Sequence, residues 1–424
     1  MIPRSFVWKV LALASGLCLF VAFVVAGAGS LPAVGAEAKV LVPPYAIDLA
    51  TDGVTVLWQT ESPSAGAVRY RAAGGVAWAE APSAGAGAFH SVRLAKLQAG
   101  TEYEAEALAG GKKVGALAFR TAPTKADEFT FYAYGDTRSH PRDHKRVVAG
   151  LLAEVNRSGQ HTFLLHTGDF AEEGSDEQST AEQFFRPAAP LLARLPVVPV
   201  RGNHENKTDL FSRYFPSPGR AQDRAEGDNL CIDYGSVRLI VLDKYVPVSE
   251  IEAQKKWLAD KLAEANDLWR LVSLHEPLYT SGKHGPATTT RGRMEPILVA
   301  GKVHAVLAGH DHDYERTKPI QGITHFVTGG GGAPLREKSS NADKYDWSVK
   351  FEMTLHFLTV DVRPDKLTIK ALRPPAKGSA FEVFDTVEIP RDCGWPAAGS
   401  QPASGAAKED DAAASPAPSG PSEK

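Results

Sequence analysis

From Val40 to Thr121 apolar and polar residues alternate in short runs. "VTVLWQT", "GAVRYRA", "HSVRLAKL", "TEYEAEAL" and "ALAFRT" each read as a half-buried strand, and Gly, Ser and Pro separate them. Strands at this spacing predict an all-β antiparallel sandwich over residues 39–122. His90 lies within one of these runs and is expected on the strand surface. After "APTKADE", a linker, the rhythm changes to strands alternating with helices. "FTFYAY", "TFLLH", "VVPV", "VRLIVL", "WRLVSL", "VHAVLAG" and "THFVTG" are β-rich runs, with helical stretches such as "DHKRVVAGLLAEVNR" and "IEAQKKWLADKLAEA" between them. In the second helix Gln254, Trp257, Leu258, Lys261 and Leu262 share the i, i+3, i+4 spacing of a half-buried face. "LHFLTVDVRPDKLTIKALRP" reads as a closing hairpin. The pattern predicts a second, layered α/β domain over residues 128–392, with ligands bound beyond the carboxyl ends of its strands.

The two ends of the chain read differently. Arg4 and Lys9 precede a long uncharged apolar run, and small residues suited to a signal peptidase follow near Ala36 and Ala38. Residues 1–38 therefore read as a signal peptide, with an uncleaved membrane anchor as the alternative, since about 20 apolar residues span a bilayer. Either way the folded part is expected to be exported, into the periplasm, the medium or the cell surface. Residues 396–424, rich in Ala, Pro and Ser, read as a disordered tail with too little apolar surface to offset the entropy of ordering.

Charge narrows the choice of partners. Over 424 residues the formal net charge is −3 at pH 7, so no basic footprint points to nucleic acid. Beyond the apolar run two cysteines remain, Cys231 and Cys393. An exported domain permits a disulfide between them, and two unpaired thiols remain the alternative.

The chemistry collects at strand ends. "FTFYAY" runs into Gly135-Asp136, "TFLLHT" into Gly168-Asp169, and "VVPVR" into Gly202-Asn203-His204-Glu205. "WRLVSL" runs into His275-Glu276, and "VHAVLA" into Gly309-His310-Asp311-His312. Each alone is an ordinary turn. Together they deliver carboxylates, an amide oxygen and imidazoles to one sheet edge, and this donor mixture without Cys suits first-row metal ions rather than structural zinc. Gly precedes the polar residue in four of the five blocks and is expected to supply a tight turn. "GGGGAP" lacks the Lys-Ser/Thr of a phosphate-binding loop, and no G-x-S-x-G elbow occurs.

In order, "GDTR", "GDFAEEG", "GNHE", "LHEP" and "GHDH" resemble the five blocks of the calcineurin-like metallophosphoesterase superfamily. "SLHEPLYTSGKHG" and "VTGGGGAPL" look like its purple acid phosphatase branch. "LQAGTEYEAEA" is similar to the tyrosine-bearing turn of fibronectin type III domains, with Tyr103 in the corner role and Trp58 in the core. The resemblance implies a metal-dependent phosphatase whose fold is a layered β-sandwich flanked by helices. It also implies two divalent or trivalent ions, Fe, Mn or Zn. Asp169 would bridge them, Asn203, His275 and His310 would complete one, and Asp136 with His312 would serve the other. A hydroxide bridging the ions would attack phosphorus. His204 would contact phosphate or protonate the leaving group, with Glu205 as its orienting acceptor and His284 as a further phosphate-side candidate. The implied substrate is a small phosphate ester, a monoester first. A phosphodiesterase or nucleotidase of the same fold is one alternative, and a degenerate, non-catalytic surface protein is another.

One block departs from the family. Many members have Asp-x-His first, and the purple enzymes carry a Tyr three residues after the bridging aspartate. Here Arg138 and Glu172 stand at those positions. No tyrosinate colour is expected, and the first ion lacks a ligand. Pro141 suits a first helical turn, which would place His144 within reach of the ion on Asp136. Glu172 is the next candidate, while Arg138 is suited to clamp phosphate through its planar fork.

Overall fold

The computed structural model describes residues 39–205, 209–216, 228–375 and 380–396. The signal or anchor segment and the tail beyond residue 396 lie outside these residues. Among the described residues no helix is long and apolar enough to cross a membrane.

The front region is all-β. Five antiparallel strands, β1 (Val40–Ala50), β2 (Gly53–Ala72), β3 (Ala79–Leu94), β4 (Glu102–Ala109) and β5 (Lys112–Arg120), form one hydrogen-bonded sheet in the order β1-β2-β4-β5, with β3 also on β2. "VTVLWQT" and "GAVRYRA", read as two strands from sequence, are one. The first half of β2 pairs with β1 and the second half with β4. Its register against β3 jumps between Gln59 and Ser64, around Pro63, which has no N–H to give to a ladder. His90 is not on the surface as expected. It is fully buried and stacked on Trp58 with centroids 4.6 Å apart, and a side chain on Gly66 would occupy its ring.

Two mixed sheets follow. The first is assembled from β6 (Phe129–Tyr134), β7 (Leu164–His166), β8 (Val197–Pro199) and, later in the chain, β16 (Phe357–Val362), β17 (Lys366–Arg373) and β18 (Glu382–Pro390), ordered β18-β17-β16-β6-β7-β8. The second contains β9 (Leu230–Tyr234), β10 (Val237–Val241), β11 (Trp269–Ser273), β12 (Ala305–Ala308), β13 (Tyr314–Thr317), β14 (Thr324–Thr328) and β15 (Ser348–Glu352), ordered β15-β13-β14-β12-β11-β10-β9. In each sheet the strands that carry the chemistry, β6-β7-β8 and β10-β11-β12, run parallel, so their carboxyl ends share one edge.

Alternation decides which side chain faces which layer. Phe131, Ala133, Phe163 and Leu165 of the first sheet and Leu239, Leu271, Leu307 and Phe326 of the second meet in one core. On the outer face of the first sheet, Tyr132, Tyr134 and Leu164 pack under α1 (Pro141–Ser158) and a helical segment over residues 177–192. On the outer face of the second, Ile240, Val272 and Val306 pack under α2 (Ile251–Ala263) and α3 (Thr288–Ala300). The result is the expected helix–sheet–sheet–helix layering. The front sheet joins the first outer layer through Val42, Tyr45, Ile47 and Leu57, and the Tyr45 hydroxyl donates to the Tyr214 carbonyl at 2.5 Å.

A candidate metal and phosphate site

All five strand-end blocks converge. Asp136 follows β6, Asp169 follows β7, Asn203 follows β8, His275 follows β11, and His310 and His312 follow β12. Asp169, His275 and His310 form one set of donors whose ligand atoms lie within 4.8 Å of one another, and Asp136, Asp169 and His312 form another. Asn203 joins the first set, its Oδ1 being 3.0 Å from both His275 Nε2 and His310 Nδ1. Asp169 is common to both.

The backbone here is under strain. Asp136, Asp169 and His310 have φ of 58°, 56° and 72°, in the left-handed region that side chains other than Gly rarely adopt. Gly168, before Asp169, has φ of 105° and supplies the turn the sequence suggests, but other strand-end glycines play a different part. Gly309 and Gly202 are not in the left-handed region, but a Cβ on Gly309 would strike the Asp136 carboxylate and one on Gly202 that of Asp169. They are needed because the loops pass too close for any side chain.

Hydrogen bonds fix the donors. His275 Nδ1 donates to the Thr167 carbonyl at 2.8 Å, so Nε2 turns its lone pair to the site, and His312 Nδ1 does the same with the Pro334 carbonyl at 2.7 Å. The His310 amide donates to both Asp136 oxygens at 3.0 Å. Burial lowers the pKa of His312 to about 3, with the Arg336 charge adding to the effect, so its imidazole is neutral. Burial would lower His275 as well, but the Asp169 carboxylate 3.2 Å away outweighs it and raises the imidazole to about 9. That edge of the site favours positive charge. An imidazole at His310 that burial keeps neutral, one at His275 whose proton an ion would displace, an amide oxygen and a carboxylate fit a metal ion at Asp169, Asn203, His275 and His310.

The second set fits less well. Arg138, 7% exposed, sits against it. Its Nε is 3.4 Å from Asp169 Oδ2, its Nη2 is 3.4 Å from His312 Nε2, and its Nη1 pairs with Glu172 and Ser139. Glu172 therefore faces the guanidinium rather than the donors, and is not a ligand.

His144 is not a ligand either. It does lie in the first turn of α1, but its ring points into the layer between α1 and the first sheet. Nδ1 donates to the Gln183 carbonyl at 2.8 Å, Nε2 accepts from the Tyr134 hydroxyl at 2.9 Å, and the ring stacks on Phe184. Both nitrogens are in use. Burial pushes its pKa down to about 4, with the Gln183 hydrogen bond partly opposing. Such a group stabilises the fold fully above its unfolded value near 6.5, and that contribution is lost as pH falls toward 4. His144 alone should cost about 3 kcal/mol of stability at pH 4 relative to pH 7. Urea denaturation at the two pH values checks this. His144→Gln should show a visibly smaller loss than wild type, and an equal loss would refute it.

The rim holds the remaining expected residues. His204 Nδ1 donates to the Glu172 carbonyl at 2.6 Å, leaving Nε2 3.7 Å from Asp169 Oδ2. Glu205 does not orient His204 as expected but accepts from the Gly202, Asp169 and Phe170 amides at 3.0, 3.0 and 2.9 Å. His284 stacks on His310 at 4.2 Å and is anchored by Asp311 at 2.8 Å. Sequence reading missed Arg336, which contacts His284 and reaches the site from the "GGGGAPLR" loop. It also missed Lys244, whose ammonium group pairs with Glu276. The strand-end rule applied to "VRLIVLDKY" would have found the latter.

Residues 129–314 match the family model described as calcineurin-like phosphoesterase. The chain carries a calcineurin-like phosphoesterase domain. It is 30% identical over 164 residues to a purple acid phosphatase of Glycine max, covering 35% of each chain. It is 26% identical over 267 residues to purple acid phosphatase 22 of Arabidopsis thaliana, covering 58% of this chain and 59% of that one. The matches thus span 35% and 59% of those two relatives. Purple acid phosphatase from yellow lupin (Lupinus luteus) seeds shares the fold, with a TM-score of 0.69 at 17% identity over 83% of this chain and 74% of that one.

Proposed function

We propose that this protein is an exported, metal-dependent phosphoesterase acting first on phosphate monoesters. The convergence of Asp169, Asn203, His275 and His310 from four strand ends carries the reading. An ion of Mn, Fe or Zn held there would supply Lewis acidity toward phosphoryl oxygens and a water acidic enough to be the nucleophile at neutral pH. The protein's part is positioning. His275 and Asn203 are fixed by the bonds above, so the donors pay little reorganisation. His204, held through Nδ1 by the Glu172 carbonyl, can carry a proton on Nε2 for the leaving oxygen. Arg138, Arg336 and Lys244 give the rim a cationic character suited to a dianionic monoester rather than a monoanionic diester. Purple acid phosphatase relatives support this substrate class. The front sheet is read as fibronectin type III-like, because the Tyr103 hydroxyl accepts the Gln98 amide at 2.9 Å and Trp58 is buried.

The test is hydrolysis of p-nitrophenyl phosphate and bis-p-nitrophenyl phosphate by metal-stripped protein titrated with Mn, Fe and Zn. Activity should return with at least one metal and favour the monoester. No turnover with any of them would end the enzyme reading. His204→Ala should slow phenyl phosphate by roughly 10² or more, and p-nitrophenyl phosphate less, because a good leaving group needs no proton. Equal losses on both would remove His204 as the acid.

A further inference from the structure

The donor set of Asp136, Asp169 and His312 already faces a cation of the protein's own. We propose that the Arg138 guanidinium takes the place of the first metal ion, so that the protein works with a single ion, held by Asp169, Asn203, His275 and His310. The inference rests on the metal reading of that four-donor set.

Three observations carry it. First, Arg138 is buried and touches two of the three donors, with Nε 3.4 Å from Asp169 Oδ2 and Nη2 3.4 Å from His312 Nε2. Because His312 Nδ1 is committed to the Pro334 carbonyl, the nitrogen that Nη2 meets is the lone-pair side, the one an ion would need. Second, the guanidinium is tied down from behind, since Nη1 pairs with the Glu172 carboxylate and with Ser139, whose hydroxyl also donates to Glu172. Glu172 is itself held, its backbone amide donating to Gln183 Oε1 at 2.8 Å, and the same oxygen accepts from the Ser139 amide at 2.7 Å. Third, neither side chain expected to replace the missing donor does so. His144 is committed to Tyr134 and Gln183, and Glu172 to Arg138. An ion at this position would have three protein donors and a fixed positive charge beside it.

An always-charged guanidinium supplies part of what a second ion would. It offsets the charge of Asp136 and Asp169 and, with Nη1 held by Glu172 and Nε against Asp169, leaves the second N–H of Nη2 for a phosphate oxygen. It cannot supply Lewis acidity to a water. Nucleophile generation would then fall to the one remaining ion.

Metal analysis and electron paramagnetic resonance of Mn(II)-loaded full-length protein test this. Wild type should retain about one ion per chain and give the six-line spectrum of an isolated Mn(II). Arg138→His, which restores a donor at the same place, should rise to about two ions per chain with the signature of an exchange-coupled pair. Arg138→Ala serves as the second variant and should bind the extra ion more weakly than Arg138→His but more tightly than wild type. Two tightly bound, coupled ions in wild type would overturn the proposal and leave the phosphoesterase reading standing. One ion in wild type and in both variants would overturn the claim that Arg138 is what excludes the second. No retained ion in any of the three would overturn the single-ion proposal together with the metal reading beneath it.

Discussion

Asp169→Asn is expected to strip the protein of bound metal and to slow p-nitrophenyl phosphate hydrolysis by roughly 10³ or more. Asp169 is the one side chain shared by the two donor sets, and it lies 3.2 Å from His275 Nε2 and 3.4 Å from Arg138 Nε. Its carboxylate is held well below the usual range, because the attraction of His275 and His204 outweighs the cost of burial. The amide has the same shape and keeps an oxygen for the His204 amide, which donates to Oδ1 at 3.1 Å, so the fold should survive. What it loses is the negative charge that balances a divalent ion and a buried arginine at once. Metal content and kcat measure the effect, with circular dichroism as the control for folding. Turnover within about tenfold of wild type would show that Asp169 is not central to catalysis.

What could be read from sequence follows from how local each signal is. Gly-Asp, Gly-Asn-His and Gly-His-Asp-His each sit directly after an apolar run, and the parallel strands of two facing sheets carry these runs to one end. Asp136, Asp169, Asn203, His275, His310 and His312 could therefore be singled out without coordinates, though not their division between two sheets. His144 shows the limit of the same reasoning. Its place in the first turn of α1 was correct, but the direction of a side chain on a helix depends on which face packs. Here that face is buried against Tyr134 and Phe184. His90 failed for a related reason, since strand alternation gives a face but not what covers it, and the space beside Gly66 is visible only once β2 and β3 are paired. Arg336 comes from a loop with no periodicity at all. The role of Arg138 was half legible. Its replacement of a histidine marked it, but only the contacts with Asp169, His312 and Glu172 show that it stands among the donors.

Glu205→Ala is expected to be the most damaging single change to the fold around the site, costing on the order of 3–5 kcal/mol and releasing the metal. Glu205 is 3% exposed, and its carboxylate accepts from the Gly202, Asp169 and Phe170 amides. It thereby stitches the turn that carries Asn203 to the loop that carries Asp169. Alanine would leave three buried amides without acceptors. Burial and the neighbouring Asp169 charge push the Glu205 carboxyl up to about 8. A carboxyl raised in the folded state contributes stability that is present below its unfolded value near 4 and is lost as pH rises through 8, so this residue braces the site at some cost in stability. Glu205→Gln separates the two effects. It keeps one acceptor oxygen without a charge, so its stability should lie between wild type and Glu205→Ala at pH 6 and fall less steeply than wild type toward pH 9. Metal retention should follow the number of amides still bonded, greatest in wild type, partial in Glu205→Gln and least in Glu205→Ala. A Glu205→Ala protein with wild-type melting temperature and metal content would show that the three amide bonds are dispensable and that another element holds Asp169 and Asn203 in register.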